Sequence, residues 1–122
     1  MNSLPKNSEA QLTEASFLIL LSLAQQPMHG YLVMQTINTV FETDFKMSPG
    51  TLYRTLQRLT VAGLIEEIAL GDMDPEDDRR RGFSITDRGR LAASEEMIRL
   101  EQLLGVARKQ LHKQLEGPAT DV

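Results

Sequence analysis

Hydroxyls, guanidinium groups and a tyrosine crowd one short stretch of this chain, where Ser48, Thr51, Tyr53, Arg54, Thr55 and Arg58 follow one another closely. From Lys46 to Arg58 the only charges are Lys46, Arg54 and Arg58. From Arg79 to Arg90 five arginines, including Arg79, Arg80 and Arg81, accompany Asp87 alone. Planar guanidinium forks suit phosphate oxygens and the acceptor edge of guanine, and hydroxyls suit either. The chemistry these residues offer is therefore recognition of duplex DNA.

Catalysis has no comparable support in the sequence. There are no paired carboxylates at an apolar site, no glycine-rich phosphate loop and no nucleophile beside a base, so an enzyme is not expected. The absence of cysteine removes disulfides, thiolate zinc sites and cysteine nucleophiles. His29 and His112 stand too far apart to suggest a metal pair, and His29 reads as a turn or capping residue. The acidic run Asp72, Asp74, Glu76, Asp77 and Asp78 lacks the central glycine and terminal spacing of a calcium loop. No metal or cofactor is expected, and the acidic run reads as a solvated tip or a brake on nonspecific DNA binding.

Length and charge set the frame. The 122 residues suffice for one domain plus an accessory helix. The net charge of −4 would repel a polyanion unless the cations share a face, so their placement matters more than their sum. The longest apolar run, Phe17 to Leu21, falls far short of the roughly 20 residues that cross a bilayer. No charged, apolar and small-residue leader opens the chain. A cytoplasmic protein without membrane contact is expected.

The elements that must position the arginines follow from spacing and punctuation. Residues 1–10 read as a frayed tail. Thr13 caps a helix over Glu14–Ala24 that is apolar on most of its circumference and stops before Pro27. Gly30 permits a tight junction, and Tyr31 to about Val40 form a second helix with Met34, Ile37 and Phe41 in phase. Ser48 then supplies an N-cap and Pro49 the first position of a third helix, where its missing N–H has no partner to lose. Along that helix Leu52, Leu56 and Leu59 define an inner face, Thr51, Arg54, Thr55 and Arg58 are assigned to the outer one, and Gly63 supplies the stop.

Leu64–Leu70 and Phe83–Ile85 suit two strands of a hairpin with a long polar loop from Gly71 to about Arg80. Thr86-Asp87 caps a last helix expected to run to about Leu115, before Gly117-Pro118. On it Ala93, Met97, Leu100, Leu104, Ala107 and Leu111 alternate spacings of four and three, with Leu103 and Val106 beside them. A helix that long cannot bury such a seam on its own small domain, so a second copy is the natural partner.

The predicted fold is mainly α with a small β-hairpin: a winged helix-turn-helix plus a long C-terminal dimerisation helix. Its divisions are a tail over 1–10, the winged domain over 11–86, the dimerisation helix over 87–116 and a tail over 117–122. Within it Thr51, Arg54, Thr55 and Arg58 are assigned to base edges and nearby phosphates, Tyr53 and Lys46 to the backbone, and Arg79, Arg80 and Arg81 to the wing. Ser48 and Tyr31 complete the DNA-binding set. A dimer would present two basic stripes, and binding should weaken with salt. From a different class, the same fold could serve as a protein-interaction module without DNA. A sensor with an effector bound at the dimer interface is compatible with repression, and no residue identifies a ligand.

Several of these segments resemble the PadR family of bacterial regulators. They are His29-Gly30-Tyr31, Ser48-Pro49-Gly50-Thr51-Leu52-Tyr53, Leu59 through Ala62-Gly63-Leu64-Ile65, Arg79-Arg80-Arg81 and Ile85-Thr86-Asp87-Arg88-Gly89-Arg90, and the likeness covers about Leu12 to Leu111. The resemblance implies a winged-helix dimer held by its C-terminal helix, usually a repressor, often of its own operon or of a detoxification or efflux gene. It also implies a phosphate contact for Tyr53 and a minor-groove contact for a basic wing residue. The chain departs from the family pattern in having Arg54 where proline is frequent, an acidic run in the wing, and no tryptophan on which to build a stacked drug pocket.

Overall fold

A computed structural model describes residues 12–70 and 81–120, with side chains of the last helix described as far as His112, and among them it holds four helices, one of which ends in a π turn, and three strands. The acidic run, Arg79 and Arg80, and the tails at 1–10 and 121–122 lie outside the described residues.

Helix α1, Glu14–Gln25, is capped by Thr13, whose Oγ1 accepts the Ser16 N–H at 3.1 Å. Ala15, Ser16, Leu18, Ile19, Leu20, Ser22 and Leu23 are all buried, so α1 runs through the middle of the core. Ser22 satisfies its buried hydroxyl by donating to the Leu18 carbonyl at 3.0 Å. Pro27 ends the helix as expected, and the next two residues, Met28–His29, form strand β1, which the sequence reading does not contain. A pair of residues shows no alternation to detect; only the tertiary partner defines it.

Helix α2, Gly30–Gln35, does not continue as an α-helix to Val40 but widens into a single π turn over Thr36–Val40, closed by Phe41 N–H on the Thr36 carbonyl at 3.0 Å. Helix α3, Pro49–Val61, starts at Ser48 and ends before Gly63, which holds a left-handed φ of 80° that a glycine adopts without strain. Strands β2, Ile65–Ala69, and β3, Arg81–Ile85, pair antiparallel, with Ile65 opposite Ile85 and Ala69 opposite Arg81. β1 adds to the other side of β3, giving the order β1-β3-β2. Ile19, Leu20, Leu23, Val33, Ile37, Leu52, Leu56 and Ile65 are fully enclosed where the three helices meet this sheet. The chain is a winged helix-turn-helix, mainly α with a small antiparallel sheet.

Helix α4, Asp87–Thr120, is 34 residues long. Its first turn is fixed twice over. Thr86 Oγ1 accepts the Gly89 N–H at 3.0 Å and donates to the Gly63 carbonyl at 2.7 Å. A β-carbon on Gly89 would overlap the Leu64 carbonyl, so only glycine allows this approach. The helix extends beyond the expected end near Leu115 and includes Gly117-Pro118. A proline this close to a helix end forfeits a single backbone hydrogen bond.

One seam residue is corrected by the packing. Ala93, assigned to a partner helix from its spacing, packs with Ala92 against the protomer's own core. The first turns of α4 lie on α1, and the same stripe becomes free only further along. The change comes where Glu96, 3% exposed, accepts the backbone N–H of Leu12 at 3.5 Å, just ahead of α1.

Candidate nucleic-acid interface

The geometry of α3 decides which of its polar groups face outward. Ser48 Oγ accepts the Thr51 N–H at 3.2 Å, satisfying a donor that would have no partner in the helix, and Pro49 takes the first position. Leu52, Thr55, Leu56 and Leu59 are buried, a spacing of i, i+3, i+4 and i+7 that describes one helix face. Thr55 is 2% exposed and is withdrawn from the DNA-facing set. Its position three residues after Leu52 and one before Leu56 places it inward, although its polarity suggested the opposite.

Directly opposite that face lie Gly50, Arg54, Gln57 and Val61, all exposed, with Thr51 and Arg58 along one flank and Tyr53 and Thr60 along the other. Arg54 folds back toward the start of the helix, Nη2 donating to Thr51 Oγ1 at 3.4 Å. A β-carbon on Gly50 would stand 3.4 Å from Arg54 Nη1, so that guanidinium lies over the glycine. Among the described residues, the side chains of Gln57 and Arg58 make no hydrogen bond or ion pair. The outer surface of α3 is cationic and open.

Three further groups frame it. Tyr31 and Tyr53 are both exposed, and the Tyr53 ring covers Gly30, where an added β-carbon would be 3.4 Å from its Cε1. Lys46 is exposed just before the helix, with Nζ donating to the Asn38 carbonyl at 3.0 Å. Asn38 also grips Met47, its Nδ2 donating to the Met47 carbonyl at 3.0 Å while Oδ1 accepts the Met47 N–H at 2.7 Å. The sequence reading missed Asn38. The π turn delivers it across nine residues to the segment that leads into the Ser48 cap, and no local pattern announces such a contact.

Between α3 and the wing lies a cleft of about 320 Å³ lined by Tyr53, Leu56, Gln57, Thr60, Glu67, Arg81 and Phe83. Arg81, the wing arginine within the described residues, is exposed and binds Glu67 with Nε at 2.7 Å from Oε2 and Nη2 at 3.2 Å from Oε1. Those hydrogen bonds hold the Glu67 carboxyl below its ordinary range, against the opposing effect of burial. Arg81 thus has a carboxylate partner on the facing strand, two residues along from its register partner Ala69.

On α4 the remaining seam residues Met97, Leu100, Leu104 and Leu111 are exposed, as are Leu103 and Val106, and Ala107 is half-buried. Among the described residues no three His, Cys, Asp or Glu side chains gather as a metal site would require, and no helix is long and apolar enough to cross a membrane.

Comparison with known proteins agrees with this architecture. The sequence pattern of the transcriptional regulator PadR-like family matches residues 19–95, from within α1 to the early turns of α4. The chain is 33% identical over 96 residues to transcriptional regulator Rv3488 of Mycobacterium tuberculosis, a match covering 78% of this chain and 83% of that protein. It is 32% identical over 92 residues to an uncharacterized 37.1 kDa protein in transposon TN4556 of Streptomyces fradiae, covering 75% of this chain but only 24% of that longer protein. Among solved structures, a PadR family transcription regulator from Clostridium difficile superposes with a TM-score of 0.70 at 19% identity, covering 81% of this chain and 99% of that one. Bacillus subtilis PadR in complex with operator DNA superposes with a TM-score of 0.62 at 17% identity, covering 72% of this chain and 48% of that one. These solved structures share the fold, the sequence match takes in more than half the chain, and the protein belongs to the PadR-like family of transcriptional regulators.

Proposed function

We propose that this chain is a sequence-specific DNA-binding regulator that works as a homodimer in the cytoplasm and represses by occupying an operator, with no catalytic step. The observation that carries the reading is the outer face of α3. Arg54 and Arg58 project from a helix whose other face is locked into the core, and no acid is hydrogen-bonded to either among the described residues. Such a helix fits the major groove, and the adjacent wing reaches the flanking backbone or minor groove. Thr51, Arg54 and Arg58 take base edges and nearby phosphates. Ser48, Tyr53, Tyr31 and Lys46 face the backbone, and Arg81 with the two arginines before it serves the wing. The operator-bound state of Bacillus subtilis PadR supports the same use of a shared fold.

The second copy follows from α4. Its apolar stripe packs on α1 through Ala92 and Ala93, then continues through Leu100, Leu104, Ala107 and Leu111 past the point where α1 begins. Pairing of two such helices would cover the free part of the stripe and set two α3 helices for successive turns of a duplex.

Fluorescence anisotropy with duplex DNA from upstream of the protein's own gene, over a salt series, tests the reading. The logarithm of the affinity should fall linearly with that of salt, with a slope of about −0.9 for each phosphate contact. The double variant Arg54→Ala with Arg58→Ala should lose at least about tenfold in affinity and flatten that slope. Unchanged affinity in that variant defeats the proposal.

A further inference from the structure

The proposed reading rests on positive charge, but charge alone distinguishes no sequence; the bases must be told apart by a group with a directional pattern of donors and acceptors. Setting the buried face of α3 against its exposed one shows where that group stands. The line farthest from Leu52, Thr55, Leu56 and Leu59 runs through Gly50, Arg54, Gln57 and Val61, at spacings of four, three and four. Val61 is 82% exposed, the most exposed of the large hydrophobic side chains described, which marks this line as the outermost ridge of the helix.

Gln57 is the amide on that ridge. It lies one turn beyond Arg54 and beside Arg58, and on the other side it lines the cleft that opens toward Arg81 and Glu67 of the wing. Its carboxamide makes no hydrogen bond among the described residues, so neither its donor nor its acceptor is committed to them. A carboxamide offers one N–H donor and one C=O acceptor side by side, the complement of the N7 acceptor and N6 donor that adenine shows in the major groove and that guanine does not.

We infer that Gln57 is a specificity-determining residue that reads an adenine in each half-site of the operator. This rests on the DNA-binding reading and adds to it a base and a side chain. Arg54 and Arg58, assigned to base edges and nearby phosphates, also supply the electrostatic attraction along the same helix. Gln57 supplies a preference that survives at salt concentrations where their contribution fades.

The test uses the full-length protein. Duplexes enriched by it from a randomised pool give a consensus, and affinities are then measured by anisotropy on that consensus with single A·T pairs replaced by G·C or with single adenines replaced by 7-deazaadenine, which lacks only the N7 acceptor. At one position per half-site the unaltered protein should lose about tenfold on the G·C replacement and severalfold on the deaza base. Gln57→Ala should lose neither there, while keeping its other base preferences and its salt slope. Circular dichroism of Gln57→Ala checks that the helix is retained, as expected for an exposed residue.

If Gln57→Ala shows the same loss at every adenine as the unaltered protein, Gln57 reads no adenine and the inference is overturned while DNA binding stands. If the unaltered protein enriches no sequence but binds duplexes with a steep salt dependence, the inference is likewise overturned. If it binds no duplex at all, the DNA-binding reading falls and takes the inference with it.

Discussion

Glu67 holds Arg81 diagonally across the two wing strands, because Arg81 pairs in register with Ala69 and its guanidinium reaches back two residues to the carboxylate, 2.7 Å away at the nearer contact. Both side chains are roughly half exposed, so the pair contributes little to stability, on the scale of ~0.2–1 kcal/mol for exposed ion pairs. Its consequence is for the wing's charge: a carboxylate stands beside the arginine expected to approach DNA. Glu67→Gln should therefore tighten operator binding by about two- to fivefold at low salt, and the gain should shrink as salt rises. Weaker binding by Glu67→Gln would show instead that the carboxylate aims Arg81 at the DNA. The Glu67 carboxyl already titrates below 4.5, so the pair persists through neutral pH and this contribution should not change there.

Asn38 closes the path from the π turn to the start of α3. It gives and receives one hydrogen bond on Met47, and Met47 immediately precedes the capping Ser48. Asn38→Ala would leave the Met47 N–H and carbonyl without these partners, at a cost of about 1–2 kcal/mol measurable by denaturant unfolding. Operator affinity should drop severalfold alongside, since the helix would be less firmly placed. Asn38→Asp keeps the acceptor and should recover about half of the stability. A variant with normal stability and normal affinity would remove Asn38 from this role.

Much of this fold can be read from local chemistry. Ser48-Pro49 marks the start of α3, Gly63 its end and Pro27 the end of α1, because caps and breakers act on their immediate neighbours. What escapes is set by distance in the chain. β1 exists only because Met28 lies opposite Phe83, Asn38 matters only because nine residues later the chain passes beside it, and the Glu67–Arg81 pair needs the strand register before it can be seen. Thr55 and Ala93 are a different kind of miss. The helical period alone places Thr55 inward, against its polarity. The seam spacing of Ala93 is correct, but its partner depends on how far α1 extends along α4.

Glu96 makes the junction between α1 and α4 sensitive to acid. Its buried carboxylate receives Arg99 Nη2 at 2.6 Å and Nε at 3.1 Å, and it accepts the Leu12 N–H. The Arg99 hydrogen bonds lower its pKa most, burial opposes them, and the Leu12 bond and the arginine charge add to the lowering. A carboxyl depressed in the folded state stabilises the fold above the unfolded value, 4.5, and loses that contribution as pH falls through the folded value. Thermal unfolding should therefore be insensitive to this group near neutral pH and show a falling Tm below 4.5. In Glu96→Gln that acid-dependent component should diminish, and the variant should be about 1 kcal/mol less stable at neutral pH. An unchanged acid profile in the variant would assign the transition to other carboxyls.

Leu104 is half exposed on α4, well past Glu96, so within one protomer it has little to lose by becoming charged. In a dimer paired through the stripe it would be desolvated, and an unpaired carboxylate there would be costly. Leu104→Asp should consequently give a folded monomer by analytical ultracentrifugation, with a helical circular dichroism spectrum close to that of the unaltered protein. Losing the link between two half-sites should then weaken operator binding by about 10²-fold or more, even though every residue on α3 is untouched. A Leu104→Asp protein that remains dimeric at micromolar concentration would place the twofold contact elsewhere. A monomer that keeps full affinity would mean that one copy of α3 with its wing suffices for the operator.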